Sequence, residues 1–279
     1  MIKNITFGSD PEYFVINETT GKIVSSIPVI EGTKESPESL GDGYFILQDN
    51  ILAEGNVPPS TNMEGFIHSM RELKRRMTSY IKAKYPPLGL HHADCLEVDT
   101  IFLSHPDAMQ FGCSPYLNAW DKQVHRAKDL SEEIYRTAGF HIHIGYDYNG
   151  IWNKETLNPV IAKAFDMFVV IPSCLTQVDQ RRFENYGGLG QYRDTSYGLE
   201  CRSLGAYFVD DKYLSWVFRQ TVRALDFIQS EENMYKLMYM AKPDARFKGG
   251  IFSFSSAIYP ELGISLSEQL IRTNTTVNV

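Results

Sequence analysis

The sequence predicts an α+β fold built on an antiparallel sheet, and three observations carry that prediction. Apolar residues recur at helical spacing in only three segments. Much of what lies between them alternates apolar and polar residues with period two. These alternating stretches come in groups, where a parallel sheet would interleave strand and helix one by one.

The first helix is expected after Thr61-Asn-Met-Glu64, which has capping-box spacing. Apolar residues then recur at Phe66, Ile67, Met70, Leu73, Met77, Tyr80 and Ile81 until Pro86-Pro87. A second helix is expected from about Lys154 to Ile171, with Val160, Ile161, Ala164, Phe165 and Phe168 on one side and Pro172 as its stop. A third starts near Asp210-Asp211 and carries Leu214, Val217, Phe218, Thr221, Val222 and Leu225. Strands are expected over Ile5–Ile16, Tyr44–Leu47, Asn50–Val57, Phe140–Tyr146 and Tyr197–Leu204. No internal repeat, low-complexity tract or linker interrupts the chain, so residues 1–279 are expected to form a single domain.

Composition narrows the function classes. Of 279 residues 43% are hydrophobic, enough to bury a sizeable core, and the formal net charge is −7. The densest basic cluster, Arg71, Lys74, Arg75 and Arg76, falls on the first expected helix, so nucleic acid is not an expected partner. Cys95, Cys113, Cys174 and Cys201 are widely spaced with no CxxC pair, the pattern of a reduced, cytoplasmic protein. The longest apolar stretch, near Phe165 to Leu175, is short and interrupted by Asp166 and Pro172, and the amino terminus has no apolar signal core. A membrane is therefore not expected as a partner. Oligomeric state is not legible.

Four of the strands share an unusual pattern. Residues at i and i+2 of a strand point to one face. Asp10 and Glu12 share a face with Tyr13 and Val15 opposite; Glu54 and Asn56 share one with Ile51, Ala53 and Val57 opposite. His141 and His143 stand against Phe140, Ile142 and Ile144, and Glu200 and Arg202 against Leu199 and Cys201. Each pair alone has an ordinary reading: an exposed His-x-His, a surface ion pair worth under roughly 1 kcal/mol, a turn punctuated by Pro11. Together, in otherwise apolar strands of matching phase, they predict one face carrying three or four carboxylates, two imidazoles and a guanidinium. Burying such a set costs several kcal/mol per carboxylate unless cations compensate. Oxygen-rich ligation with one imidazole suits Mg²⁺ or Mn²⁺ better than Zn²⁺, and the number of acids suits two ions. Ahead of the fourth strand, Gly187, Gly188 and Gly190 followed by Arg193 form a flexible loop whose N–H groups and guanidinium suit the phosphates of a nucleotide. It is not a Walker A loop, because no Gly-Lys-Ser/Thr follows.

These residues resemble a known family. Asp10-Pro-Glu-Tyr-Phe14 is similar to the opening Glu-Pro-Glu-Phe-Phe strand of glutamine synthetases, His141-Ile-His143 to their His-x-His strand, and Glu200-Cys-Arg202 to their late Glu-x-Arg strand, in the same order. Glutamate–cysteine ligases share the arrangement. The combination of Gly8-Ser-Asp-Pro-Glu12, Gly139-Phe-His-Ile-His-Ile-Gly145 and the block ending Tyr197-Gly-Leu-Glu-Cys-Arg-Ser-Leu204 most resembles the phage-type carboxylate–amine ligases (amidoligases), as does the segment 111–120. The resemblance spans roughly residues 5 to 208.

The resemblance implies a glutamine-synthetase-like catalytic domain: a curved, mainly antiparallel sheet with helices on one face and the active site on the other. It implies ATP and Mg²⁺ (or Mn²⁺) as cofactors, and small-molecule or peptide carboxylates and amines as substrates. Glu12, Glu54 and Asp10 would hold metal, with His141 and Glu200 as further ligands. His143 would lie near the nucleotide, Arg202 would face the transferring phosphate, and Arg193 would neutralise phosphate charge. Asp10 stands where glutamine synthetases carry Glu, a shorter reach that would suit ligation through water. Asp49 is the candidate second acid beside Glu54. The chain lacks the separate amino-terminal domain of glutamine synthetases, so their ring assembly is not carried over. The chemistry expected is activation of a carboxylate as an acyl phosphate and its capture by an amine. A guanidino kinase-like phosphotransferase and a metal-dependent hydrolase are the competing classes. The former's cysteine-centred signature and the latter's third histidine or bridging Asp are not evident; His91-His92-Ala-Asp94 reads as a loop. The segments 104–120 and beyond Glu232 are the expected specificity elements.

Overall fold

The computed structural model of the chain describes residues 1–109, 115–126 and 133–271. Cys113 and part of the 111–120 segment lie outside them. The architecture is α+β: one large antiparallel sheet with long helices packed against it. Along its main path the strands run Glu38–Gly41, Tyr44–Asp49, Leu52–Asn56, Ile2–Asn17, Phe140–Tyr148, Gly198–Cys201, Gln191–Asp194, Tyr116–Asn118 and Val124–His125. Ile23–Val24 and Leu88–His91 pair with the far end of the opening strand.

The opening strand, Ile2–Asn17, organises the sheet. Its first part pairs with Phe140–Tyr148, placing Asp10 opposite His141. Then Glu12 crosses to pair with Glu54 of Leu52–Asn56. The expected strands are all present with small shifts at their ends. Asn50, expected within a strand, instead takes a left-handed conformation (φ 58°) between Tyr44–Asp49 and Leu52–Asn56, one of the few side chains that tolerates it.

Three helices cover the apolar face. Met63–Lys84 starts one residue later than the capping-box reading places it: Asn62, not Thr61, is the cap, its Oδ1 accepting from the Gly65 N–H at 2.9 Å. Asp211–Phe227 is capped by Asp210 as expected. Phe218 of this helix meets Phe7 of the opening strand at 4.6 Å and Phe66 of the first helix at 5.6 Å between ring centroids. Phe7, Tyr13, Val15, Phe140, Ile142, Ile144 and Leu199 are all buried on this side. Each such side chain contributes about 1.5–3 kcal/mol relative to exposure.

The middle helix corrects an expectation. Lys154–Phe165 does not stop at Pro172 but widens into a π-helical turn, Asp166–Val170, and resumes over Ile171–Cys174. The Ile171 N–H bonds the Asp166 carbonyl, an i→i−5 contact. Pro172 therefore falls at the start of a new helical segment, where its missing N–H is tolerated. By length and composition residues Lys154–Cys174 could cross a bilayer, but 94% of their most apolar window is buried inside the protein. It is a core helix packed beneath the sheet.

Candidate metal and phosphate centre on the open face of the sheet

Directly opposed residues of antiparallel strands point to the same face. The register therefore sets a row of functional side chains across five strands. Leu47 and Glu12 flank Glu54, Asp10 faces His141, and His143 faces Glu200, which in turn faces Arg193. Arg202 lies just past the last residue of Gly198–Cys201, but its N–H still donates to the Gln191 carbonyl at 2.9 Å, so its side chain keeps the face of Glu200. Asp10, Glu54, His141, His143, Glu200, Arg193 and Arg202 all line one cavity of about 240 Å³.

Two acidic groups are spaced to hold a cation. Asp10, His143 and Glu200 form one, and Glu12, Asp49 and Glu54 the other, each with its ligand atoms within 4.8 Å of one another. His141 lies between them, its Nδ1 3.2 Å from Asp10 Oδ1 and 3.3 Å from Glu200 Oε1, its Nε2 3.8 Å from Glu12 Oε1. His143 Nε2 is 3.1 Å from the same Asp10 oxygen. Of the two histidines, His141, expected as a ligand, lies against Asp10 and Glu200 and reaches toward Glu12, while His143, expected near the nucleotide, also falls within the first group. Asp49 joins Glu12 and Glu54, as the second-acid reading expects.

The donor set fits divalent cations. His141 Nε2 is buried with no hydrogen-bond partner. Asp10 Oδ1, both Glu200 carboxylate oxygens and His143 Nε2 are buried with only ion-pair contacts to one another, to His141 Nδ1 and to Arg193 and Arg202. Buried polar atoms are rarely left so, and carboxylates with an occasional imidazole suit Mg²⁺ or Mn²⁺. The electrostatics agree. Burial pushes Glu54 well above the usual carboxylate range, reinforced by Asp10 and Asp49. Burial also raises Glu12, with His141 opposing and Asp49 adding to the rise. Burial pushes Asp10 up too, but the His143 and His141 imidazoles outweigh it and hold its carboxyl well below the usual range. Burial works against the His143 charge, yet Asp10 beside it wins and raises this imidazole. The first group is balanced by its own imidazoles; in the second, burial disfavours the charges of Glu12 and Glu54, a cost that a bound cation would offset.

Arginines close the other end. Arg193 pairs with Glu200 Oε2, and Arg202 Nε lies 3.2 Å from Glu200 Oε1. Glu200 is fully buried, Arg202 nearly so, while the Arg193 side chain is 43% exposed and reaches the cavity mouth.

Gly188 and Gly190 do not line this cavity, against the expectation that their N–H groups face a nucleotide. Gly190 (φ +82°) spends its N–H on the Asp166 carboxylate beneath the sheet, and a Cβ there would fall 2.4 Å from Trp120 Cδ1. The Gly188 carbonyl accepts from Ser203 Oγ at 2.8 Å. Packing of the loop against its neighbours explains these glycines. Asp94 of the His91–Asp94 stretch is buried and accepts from the Tyr207 N–H at 2.9 Å, a structural bond.

Three residues escaped the sequence reading. Lys34 reaches into the cavity from a loop, its Nζ 2.8 Å from Asp49 Oδ2. Tyr197 holds its hydroxyl 2.7 Å from His143 Nδ1 and so fixes which nitrogen faces Asp10. Arg182 is buried behind His141, donating from Nη2 to the carbonyls of Leu204 at 2.9 Å and Arg202 at 3.3 Å. Gly139 makes room for both, since a Cβ there would lie 2.5 Å from His141 Nε2 and 3.2 Å from Arg182 Nη2. Lys34 carries no periodic signal; Tyr197 and Arg182 adjoin the recognised segments but act across the sheet. No family model matches the chain, and no curated protein matches it.

Proposed function

We propose that the protein is an ATP-dependent carboxylate–amine ligase of glutamine-synthetase-like fold, joining its substrates through an acyl phosphate. The observation that carries this reading is the two cation-holding groups, Asp10/His143/Glu200 and Glu12/Asp49/Glu54, set side by side on one sheet face with Arg193 and Arg202 at one end. Divalent cations held there supply neutralisation of the negative charge on the ATP phosphates and on the carboxylate being activated.

The chain's own residues supply the rest. In-line phosphoryl transfer needs positioning and charge balance more than covalent chemistry. Arg193, partly exposed at the mouth, is placed to meet an incoming phosphate, and its planar fork suits two oxygens at once. Arg202, held by Glu200 and by its backbone bond to Gln191, is placed deeper, toward the transferring group. The buried setting of Arg202 strengthens its interaction by excluding water, whereas Arg193 acts at the more open mouth. The carboxylate oxygen attacks the γ-phosphorus, ADP leaves, and the amine attacks the acyl carbon to expel phosphate and a proton.

The test is ADP or phosphate release from ATP with Mg²⁺ or Mn²⁺, across pools of carboxylates with and without pools of amines. Release that needs both, with a product mass equal to the two substrates less water, is the expected result. Phosphorylated product formed without an amine would replace the ligase by a phosphotransferase. Turnover without nucleotide would replace it by a hydrolase.

A further inference from the structure

A second cavity lies on the other side of the sheet. It has a volume of about 320 Å³, within the range of small-molecule sites (about 300–1,000 Å³), and shares no lining residue with the acidic cavity. Its position follows from strand alternation. Tyr192 and Asp194 line it, while Arg193 between them belongs to the acidic face.

The walls are of two kinds. About two turns of the helix Lys154–Phe165 present Thr156, Pro159, Val160 and Lys163, the i, i+3, i+4, i+7 stripe of one face. Leu117, Val160, Tyr192 and Met238 make an apolar floor. Around it stand two cations, Lys122 and Lys163, and two carboxylates, Glu155 and Asp194.

These charges are not spent in the same way. Lys163 is 3% exposed, and its Nζ donates to the carbonyls of Leu237, Met238 and Met240 at 2.9, 3.3 and 3.4 Å. Its three N–H groups are thus used, and burial lowers its ammonium to about 8, so that below this pH it contributes a positive field to the wall. Lys122 is different: exposed, on a turn residue with φ 59°, its ammonium makes no hydrogen bond or ion pair among the described residues. Asp194 gives one carboxylate oxygen to Asn158 Nδ2 at 2.6 Å and keeps its other oxygen. Pro159 has no N–H to give the Glu155 carbonyl one turn earlier, which leaves a further acceptor on that helix face.

We infer that this cavity binds a zwitterion with an apolar side chain, an α-amino acid of leucine or phenylalanine type. The carboxylate sits in the field of Lys122 and Lys163, the ammonium against Asp194 and Glu155, and the side chain on the Leu117–Val160–Tyr192–Met238 floor. A simple anion would meet the two carboxylates, and a simple amine the two lysines, so only a molecule carrying both charges satisfies the rim. The inference is independent of the ligase reading, because it concerns the opposite face of the sheet and needs neither metal nor nucleotide.

Isothermal titration of the full chain with leucine and with phenylalanine tests it. The same titration is made with isocaproate and isoamylamine, which keep the leucine body but lack its ammonium and its carboxylate respectively. Leucine or phenylalanine is expected to bind, with each one-charge analogue weaker by about tenfold or more, the effect of losing one charge-assisted contact. Lys122→Glu, at an exposed turn where folding is not at stake, is expected to weaken binding by a similar factor, and Thr156→Trp, which fills the cavity, to abolish it. Absence of binding by both amino acids, equal binding of the analogues, or full affinity in Lys122→Glu would each overturn the assignment.

Discussion

Glu200 is the residue on which most of the site converges. It has no exposed surface, pairs with Arg193 and Arg202, and lies 3.3 Å from His141 Nδ1. Glu200→Gln keeps the shape but removes the charge that these three groups face. Leaving a buried guanidinium without its carboxylate costs about 3–5 kcal/mol, so a lower melting temperature is expected together with loss of Mn²⁺ binding by calorimetry. Full Mn²⁺ affinity in this variant would remove Glu200 from the ligand set. Arg202→Lys is expected to retain the fold yet lose most ATP turnover, since a point charge cannot replace a planar fork; full turnover would end its phosphate role. Asp166 supplies a different residue-scale prediction. Burial pushes its carboxyl from 3.8 up to about 8, although Trp120 Nε1 donates to it at 2.6 Å. With the folded value above the unfolded one, the folded state holds a proton that the unfolded state has already released. Stability is therefore expected to fall as pH rises from about 4 to about 8. Asp166→Asn, which keeps an acceptor for Trp120, should flatten that dependence and be the more stable chain at pH 8. An unchanged pH profile in a urea titration series would refute this account.

At the scale of elements, much of the site was legible because a strand has a period of exactly two residues and the register respects it. The pairs Asp10/Glu12, His141/His143 and Glu200/Arg202 could be placed on one face from sequence spacing alone, and the paired strands bring them together. What spacing cannot encode is which group a loop delivers. Lys34 arrives on a segment with no periodicity. The glycines at 188 and 190 looked like a phosphate loop because glycine supplies flexible backbone, but the same freedom served close packing, of Gly190 against Trp120 and Asn118 and of Gly188 against the Phe183 carbonyl. Pro172 read as a stop because a π-helical turn has no sequence period of its own. The close approach between strand and helix at Gly55 is another such hidden demand. A Cβ there would lie 2.6 Å from Met77 Sδ and 2.9 Å from Leu73 Cδ1, so the helix Met63–Lys84 seats directly against the strand that carries Glu54. Gly55→Ala is expected to destabilise by about 1–3 kcal/mol, the range for overpacking a close-packed core, and to weaken Mn²⁺ binding because Glu54 moves with its strand. A denaturant midpoint equal to that of the parent chain would show that the helix can give way.

For the whole molecule, the sheet is a compromise between holding carboxylates together and remaining folded. Its apolar face is packed against three helices; its open face gathers Asp10, Glu12, Glu54, Asp49 and Glu200 around one cavity and beneath it. Three of these lie against imidazole or guanidinium groups, but Glu54 has Lys34 as its nearest offset and Asp10 and Asp49 against it. Its carboxyl is raised well above the usual range, first by burial. Below the unfolded value the protonated form adds nothing unfavourable; as pH rises through the folded value, the charge must be carried in a buried site and stability is lost. A divalent cation reverses that balance, since anything that binds only the folded state stabilises it, by about 2.7 kcal/mol at a concentration one hundred times the dissociation constant. The two effects predict a crossing. In the presence of a chelator at neutral pH, Glu54→Gln is expected to melt higher than the parent chain, because it removes a charge that the buried, acidic surroundings disfavour. In saturating Mn²⁺ the order is expected to invert, because the parent gains the cation's stabilisation and the variant gains less. Parallel melting curves, with the variant above or below the parent in both conditions, would mean that this carboxylate is not held in place for a metal ion.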